Sequence, residues 1–180
     1  MVNRYRRYLY RACCSALVLG ALFIVVSLLD GKWVLPVQGM SQASYNSNSF
    51  WAYPWGSSVT HKGVDIFAPR GTPVIAARSG LVWESGYGSK GGNFIAIASP
   101  FFEGHLYAHL TERYVDRWGW VNKGQVIGTV GDTGNAAGKP THLHYAIGTF
   151  LLRPELPFPE HHKFWWPFFI DPVERLNSRF

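Results

Sequence analysis

Cysteine is nearly absent from this sequence. Its two cysteines, Cys13 and Cys14, both lie near the N-terminus, and no residue after position 14 is a cysteine. A disulfide framework is therefore excluded for the remainder of the chain. Any metal site there must be built from histidine and carboxylate side chains.

Charged side chains are also scarce, at 16% of the residues, whereas the chain contains 19 glycines, 11 prolines and 16% aromatic residues. This composition argues against a disordered chain and against a long-helix protein, and it favours short strands joined by turns. A chain of 180 residues is long enough to bury one core and too short for two domains of ordinary size. We therefore expect one folded domain of mainly β class with appendages.

Acidic residues are missing from the first 29 positions, where four arginines occur. The formal charge of +6 for the whole chain consequently falls to +2 over residues 30–180. No basic stripe remains there for phosphate binding, so nucleic acid is not an expected partner. The four arginines are Arg4, Arg6, Arg7 and Arg11.

Residues 12–29 form a run without any charged side chain, directly after those arginines. A helix of this length spans roughly 27 Å, close to a bilayer core of about 30 Å. The run therefore predicts a single-pass transmembrane helix. Arginines before it and none directly after it predict that the N-terminus is cytoplasmic and that residues from Asp30 onward lie outside. The alternative is a cleaved signal peptide with Val25-Val26-Ser27 as its exit, but the run is long for such a peptide.

Charged, polar, glycine and proline residues divide the chain into four predicted segments. Residues 1–29 are the cytoplasmic tip and anchor, 30–49 a polar linker, and 50–150 the folded domain. Residues 151–180 are rich in proline and aromatic side chains and predict an extended strap followed by a short helix. Asp171 and Pro172 are suited to the N-cap and first position of that helix, which should run to Leu176.

The sequence Thr141-His142-Leu143-His144-Tyr145 contains a His-x-His triplet inside a predicted strand. Side chains two apart in a strand project from the same face, so His142 and His144 can share a metal site. Two half-exposed strand residues are the commoner explanation of such a triplet. Partners elsewhere in the chain are needed to favour the metal.

A second group of metal-binding residue types is found in His61-Lys62-Gly63-Val64-Asp65. His61 and Asp65 can bind one ion if the chain bends between them, and Gly63 permits such a bend. The spacing alone is common by chance. The β-rich pattern that follows, with Pro69, Gly71 and Pro73 as turn residues, gives it more weight.

These motifs, taken in order, resemble the lysostaphin/LytM-type zinc metallopeptidases. The resemblance covers residues 51–148, more than half of the chain. It rests on His-x-Gly-x-Asp at 61–65, Ala-Pro-x-Gly-Thr-Pro-Val-x-Ala-Ala at 68–77, Tyr-Ala-His-Leu at 107–110, Gly-Gln-x-Ile-Gly-x-x-Gly-x-Thr-Gly at 124–134 and His-Leu-His at 142–144. The resemblance implies a predominantly antiparallel β-sheet domain, of the duplicated hybrid motif-like kind.

The resemblance also implies a site. His61, Asp65 and His144 would bind one Zn²⁺ per chain, while His109 and His142 would be catalytic histidines that do not bind the metal. Two histidines and one carboxylate leave a fourth zinc position open, as in catalytic rather than structural sites. Zinc lowers the pKa of a bound water, and neutral imidazoles can accept its proton or stabilise an oxyanion.

Three further side chains are weaker candidates. Tyr53 is the only local match for a tyrosine that assists the transition state in some relatives, and a role in core packing is equally open for it. Asn93 is a candidate for contact with substrate. His105 shares a strand face with His109, so either can in principle reach the site, and the family pattern selects His109. The segment 50–58 departs from the Ser-x-Phe-Gly-x-Arg pattern of many relatives, which leaves the upstream wall of the groove open.

The resemblance implies a zinc metalloendopeptidase, a hydrolase that cuts cross-link or stem peptides of bacterial peptidoglycan. Combined with the predicted anchor, it places the protein in the bacterial cytoplasmic membrane, with its domain on the periplasmic or extracellular side facing the cell wall. The alternative is a catalytically silent module of the same fold that binds cell wall or activates another wall hydrolase. A pure binder has no chemical need for all five site residues, so we favour the enzyme.

Overall fold

The computed structural model describes residues 2–151, 160–161 and 168–180 of the chain; at 2–4, 9, 16, 19, 22–24, 26–30, 57 and 101 it describes the backbone alone. The chain divides into two compact units, residues 1–32 and residues 33–180. Each unit has its own secondary structure, and the candidate site residues all belong to the second.

The first unit consists of one long helix, α1 (Val2–Asp30). Within the described part of the chain, no helix is both long and apolar enough to cross a bilayer. The transmembrane span predicted over residues 12–29 therefore has no structural support. About half of that run, at positions 16, 19, 22–24 and 26–29, has side chains outside the described set.

The second unit is built on antiparallel sheets, which confirms the mainly β prediction. Seven strands form one sheet in the order β1-β8-β5-β4-β3-β6, with β9 paired to β8, while β2 and β7 form a second, two-stranded sheet. The strands are β1 (Val64–Phe67), β2 (Pro73–Ile75), β3 (Gly80–Gly88), β4 (Gly92–Ser99), β5 (Glu103–Leu110), β6 (Trp120–Val121), β7 (Val126–Thr129), β8 (His142–Thr149) and β9 (Phe169–Ile170).

Strand β8 shows why this sheet has one buried face and one functional face. Leu143, Tyr145 and Ile147 alternate along the strand and are fully buried in the core. Their neighbours His142 and His144 project from the opposite face, because successive strand side chains point to opposite sides. The core therefore holds the register that presents both histidines together.

Of the segment 30–49 that was predicted as a linker, residues 33–49 belong to the folded unit instead. Trp33, Val37, Met40 and Tyr45 are buried in its hydrophobic core. Isolated bridges join Val37 to Val74 and Tyr45 to Ile66. The polar run at 41–49 is typical of a linker. The apolar residues of this segment are widely spaced and without periodicity, so they give no strand or helix signal.

The C-terminal helix was predicted correctly. It is α2 (Pro172–Asn177), and the Asp171 side chain caps it by accepting a hydrogen bond from the Val173 amide. Strand β9 precedes this helix and pairs with β8 at Ile147 and Gly148. Most of the predicted Pro/aromatic strap, at 152–159 and 162–167, lies outside the described residues.

A buried ion pair joins α2 to the sheet. The Arg175 guanidinium donates two hydrogen bonds to the Glu103 carboxylate on β5. Burial opposes ionisation of Glu103, but hydrogen bonds from His105 and Arg175 outweigh it and lower its pKa to about 2. His105 Nδ1 in turn lies 2.7 Å from the Tyr145 hydroxyl on β8. This network lies on the core side of the strands that carry the candidate site.

Arg175→Met should lower the free energy of unfolding by about 2–4 kcal/mol at pH 7, because it leaves the buried Glu103 carboxylate without its cation. The folded-state pKa of Glu103 is lower than its ordinary 4.5. The stabilisation that ionised Glu103 gives the folded state is therefore complete above pH 4.5 and is lost as the pH falls toward 2. Chemical denaturation at several pH values measures the difference between variant and wild type.

Arg179→Met, at an exposed position just beyond α2, is the matched control and should change stability by less than about 0.5 kcal/mol. A loss in Arg175→Met that stayed constant from pH 7 to pH 3 would contradict the ion-pair account.

Candidate metal and catalytic site

Two adjacent strands position the three candidate metal ligands. Asp65 on β1 pairs directly with His144 on β8 in the antiparallel register. His61 lies in the loop that leads into β1, and its amide donates to the Ala52 carbonyl. Residues distant in sequence therefore meet at one edge of the sheet.

The three side chains converge on one point. Nε2 of His61 lies 3.1 Å from Oδ1 of Asp65 and 3.0 Å from Nδ1 of His144, and the last two atoms lie 2.9 Å apart. Within the described residues these three form a cluster with metal-binding geometry. A tetrahedral zinc with bonds of about 2.0–2.1 Å needs donors roughly 3.3 Å apart, so this set fits zinc with little movement.

The tautomer of His61 supports a cation at this point. Its Nδ1 lies 2.9 Å from the Ser49 carbonyl oxygen. A carbonyl only accepts, so Nδ1 carries the proton and Nε2 of the neutral ring has a lone pair. That lone pair faces the Asp65 carboxylate, and two acceptors at 3.1 Å require a proton or a metal ion between them.

The electrostatic environment of this cluster favours metal binding. Burial opposes ionisation of Asp65, but its interactions with the imidazoles of His144 and His61 hold its pKa well below the ordinary range. Burial lowers the pKa of His144, although Asp65 acts in the opposite direction. A carboxylate and neutral imidazoles are the states in which these groups bind metal.

Gly63 is required for space rather than for the bend that the sequence suggested. A Cβ atom at this position would lie 2.5 Å from the Tyr145 carbonyl oxygen and 3.0 Å from the ring of His144. Its φ is not in the left-handed region. The segment that leads into β1 therefore passes too close to β8 for a side chain at position 63.

Gly63→Ala should displace the His144 ring and lower zinc affinity by about tenfold or more, because misplaced ligands cost metal affinity as lost supporting contacts do. Competition with a chromogenic chelator measures the affinity. Gly104→Ala is the matched control, since a Cβ there meets only the Phe150 ring at 3.9 Å. Equal zinc affinity in the two variants would contradict the close-approach argument.

His109 reaches the site through an unusual backbone conformation. Simple alternation along β5 would bury it on the face of Tyr107, but His109 has φ 65°. The pairing of β4 with β5 shifts register between Asn93 and Ile95, opposite this position. This bulge turns the imidazole toward the groove, as bulges beside active sites commonly do. A left-handed residue other than glycine carries strain that the surrounding contacts must hold.

The ring of His109 is held by one carbonyl. Its Nδ1 lies 2.9 Å from the Thr133 carbonyl oxygen, so Nδ1 carries the proton and Nε2 is free on the groove side. Burial lowers the pKa of His109 to about 4, even though this hydrogen bond acts in the opposite direction. The imidazole is therefore neutral at pH 7 and can accept a proton.

His142 is oriented in the same way. Its Nδ1 donates to the Pro140 carbonyl at 2.8 Å, which leaves Nε2 facing the site at 3.9 Å from Oδ1 of Asp65. The ring centroids of His109 and His142 lie 5.0 Å apart. Two imidazoles whose Nε2 atoms face the groove thus stand beside the predicted ligands.

The site opens into a groove of about 870 Å³. The Trp55 ring forms one wall, stacked on His61 with ring centroids 4.1 Å apart. Leu106, Ala108 and Ala146 give the groove an apolar floor. Lysine side chains also line it, and the pKa of Lys62 is lowered by burial and by the charge of Lys90. The residues around the groove are Pro54, Trp55, Gly56, Ser58, Thr60, His61, Lys62, Asp65, Phe67, Lys90, Gly91, Leu106, Ala108, His109, Asn135, Ala136, Lys139, Pro140, His142, His144, Ala146 and Phe169.

Several of these residues were missed by sequence reasoning. Trp55 carries no motif that marks it as a wall of the site. Thr133 belongs to the Gly-x-Thr-Gly motif, which could have indicated its role in holding His109. The three lysines lie in separate segments, so only the fold shows that they share one groove.

The structure does not place Tyr53 or Asn93 in the groove. Tyr53 is 55% exposed, and its ring stacks on His161 at 3.7 Å, so it is neither core nor site residue here. The Asn93 side chain donates to the carbonyls of Leu110 and Thr111. Asn93 therefore ties together the strand ends beside His109 rather than facing a substrate.

His105 points away from the site, in agreement with the choice of His109 over it. It is buried in the network with Tyr145 and Glu103, and burial lowers its pKa. Its role is to fill and connect the core side of β5.

Two curated relatives are similar to part of this chain. The peptidoglycan DD-endopeptidase ShyC of Vibrio cholerae is 41% identical over 90 residues, which cover 50% of this chain and 20% of that protein. The L-Ala--D-Glu endopeptidase of Bacillus subtilis is 36% identical over 124 residues, covering 65% of this chain and 38% of that protein. This chain thus spans well under half the length of either relative.

Solved structures share the fold. The catalytic domain of lysostaphin from Staphylococcus simulans matches 72% of this chain and 90% of that chain, with 30% identity and a TM-score of 0.58. A zinc-containing peptidase from Vibrio cholerae matches 66% of this chain and 37% of that chain, with 26% identity and a TM-score of 0.55. The antiparallel sheet described above therefore resembles that of the lysostaphin catalytic domain.

A model of peptidase family M23 matches residues 59–151, just over half of the chain, and this range includes His61, Asp65, His109, His142 and His144. The family match, the shared fold and the clustered site residues agree, and the chain belongs to peptidase family M23.

Proposed function

We propose that this protein is a zinc metalloendopeptidase that hydrolyses peptide bonds in bacterial peptidoglycan. The observation that carries the proposal is the convergence of His61, Asp65 and His144 on one point at distances of 2.9–3.1 Å. The peptidoglycan DD-endopeptidase activity named for the Vibrio cholerae relative supports the choice of substrate.

Zinc bound to these three residues would polarise the scissile carbonyl and bring the pKa of a water toward neutrality. The protein's own residues supply the proton transfers. Nε2 of His109 or of His142 accepts the water proton, since the backbone carbonyls of Thr133 and Pro140 hold the protons of both rings at Nδ1. The imidazolium formed in this way donates to the leaving amine or to the developing oxyanion.

The groove shape suits a peptide rather than a small metabolite. Its volume of about 870 Å³ is near the upper end of ordinary ligand pockets, about 300–1,000 Å³. The site lies along strands β5 and β8 instead of at the bottom of a closed cavity, so an extended chain can pass over it. These features support an endopeptidase acting within a polymer.

A location outside the cytoplasm follows from this substrate. The arginines before the uncharged run at 12–29, with none directly after it, favour the cell-wall side for the domain. We retain this location as part of the proposal, resting on sequence alone.

Digestion of purified peptidoglycan tests the function. The zinc-loaded protein should release new amino termini, identified by mass spectrometry of the products, and a chelator should abolish the release. Absence of new termini with zinc bound, together with specific binding to the same peptidoglycan, would favour the silent cell-wall module instead.

A further inference from the structure

Three lysines line the groove around the metal cluster, and they come from three different segments. Lys62 follows His61, Lys90 lies in the turn between β3 and β4, and Lys139 lies in the loop before β8. Among the described residues that line the groove, Asp65 is the one acidic side chain, and it belongs to the metal cluster.

Lys62 is held in place by the loop before β1. Its Nζ donates to the Ser58 carbonyl at 3.0 Å and lies 5.8 Å from the centre of the Trp51 ring. Neutral partners of this kind orient the ammonium without cancelling its charge. The β1 side of the groove therefore carries a fixed positive charge beside His61.

Lys90 and Lys139 lie in two loops that pack against each other. The Lys90 carbonyl accepts from the Asn135 amide, and a Cβ atom at Gly134 would lie 2.2 Å from the Gly92 amide nitrogen. The backbone carrying the two lysines is therefore closely locked. Over the described part of the chain, no carboxylate lies within 4.0 Å of either ammonium group.

Uncompensated cations around a concave site raise the local concentration of anions and orient them. A carboxylate of the substrate is the group that would form ion pairs with these lysines. The name of the Bacillus subtilis relative specifies a bond to D-Glu, an amino acid whose second carboxyl remains free in a peptide chain unless it is amidated.

We propose that Lys90 and Lys139 select peptides that carry a free carboxylate near the scissile bond. This inference rests on the proposed function and adds the substrate class: stem peptides with unamidated D-glutamate rather than neutral or amidated ones. Lys62 contributes to the same field.

The test compares two substrates that differ at one group. One is a cross-linked muropeptide dimer with free D-glutamate α-carboxylates, and the other is the same dimer with α-carboxamides. For the zinc-loaded wild-type chain, kcat/KM should be about tenfold or more higher for the carboxylate form, since each exposed ion pair contributes up to about fivefold. Raising the salt concentration to about 0.5 M should reduce the preference, because screening shortens the reach of these charges.

The variant Lys90→Gln/Lys139→Gln should bring this ratio close to one. Lys123→Gln removes a lysine that does not line the groove and should leave the ratio unchanged. A wild-type ratio near one, or an equal loss on both substrates in the double variant, would overturn the inference while leaving the peptidase intact.

Measurements of binding distinguish a failure of this inference from a failure of the proposed function. Both dimers are titrated into the zinc-loaded His109→Ala chain and its counterpart with the two lysine substitutions. Selective binding of the carboxylate form without cleavage by the wild type would support the lysines and reject the peptidase. Neither selective binding nor cleavage would reject both.

Discussion

The variant His144→Ala is expected to lose stoichiometric zinc and, with it, the release of peptide termini from peptidoglycan. His144 supplies one of three donor atoms, and its Nδ1 lies within 3.0 Å of both other donors. Loss of outer partners of metal ligands already costs about 10–100-fold in affinity. Removal of a ligand itself should therefore cost at least about a hundredfold.

Zinc content after dialysis against a buffered zinc pool measures this effect. His161→Ala is a matched control, since His161 stacks on Tyr53 away from the three donor atoms, and it should keep one zinc per chain. Stoichiometric zinc with unchanged affinity in His144→Ala would show that the ligand assignment is wrong.

The second large effect is expected at the two histidines that do not bind the metal. His109→Ala and His142→Ala should each keep one zinc per chain and lose about a hundredfold or more in rate, since each removes a proton acceptor or a donor to the oxyanion. Their Nδ1 atoms are bound to backbone carbonyls, and their Nε2 atoms face the groove.

The pKa of His109 determines how the rate of hydrolysis should depend on pH. The pKa of His109 is about 4 because burial disfavours its charged form. His109 therefore stays neutral as the pH falls through 6, and its protonation does not limit the rate until the pH approaches about 4. Turnover of muropeptides at several pH values, with zinc content measured in parallel, separates loss of the base from loss of the metal. Retention of at least a third of the wild-type rate in both variants would contradict a catalytic role.

The candidate ligands stand in short local patterns of the sequence, and the family resemblance selects His61, Asp65 and His144 among them. His61 and Asp65 lie four residues apart, and His142 and His144 share a strand face by alternation. Short helix α2 was equally predictable, since Asp171 and Pro172 are a standard capping pair.

Other features depend on contacts that a linear pattern does not contain. Alternation along β5 would bury His109, and only a bulge opposite Asn93, with φ 65° at His109, turns it toward the groove. Gly63 looked like a bend, but the structure shows that it is needed for close approach of β1 to β8. The Gly63 contact arises from pairing of β1 with β8, about eighty residues apart in sequence, and the conformation of His109 from the pairing of β4 with β5.

Segments without periodicity were predicted least well. Residues 33–49 were expected to be a linker, yet their separated apolar side chains enter the core. Tyr53 was chosen by its position before His61, but it lies outside the groove, where Trp55 stands instead. Tertiary packing decides which of several nearby aromatic residues reaches a site.

Stepwise addition of zinc to the metal-free protein, with release of new amino termini from peptidoglycan followed at each step, tests the central claim most directly. We predict no release before zinc is added, a linear rise, and a plateau at one zinc per chain. Full release by the metal-free protein, or no release at one bound zinc per chain, would contradict a single catalytic zinc at His61, Asp65 and His144.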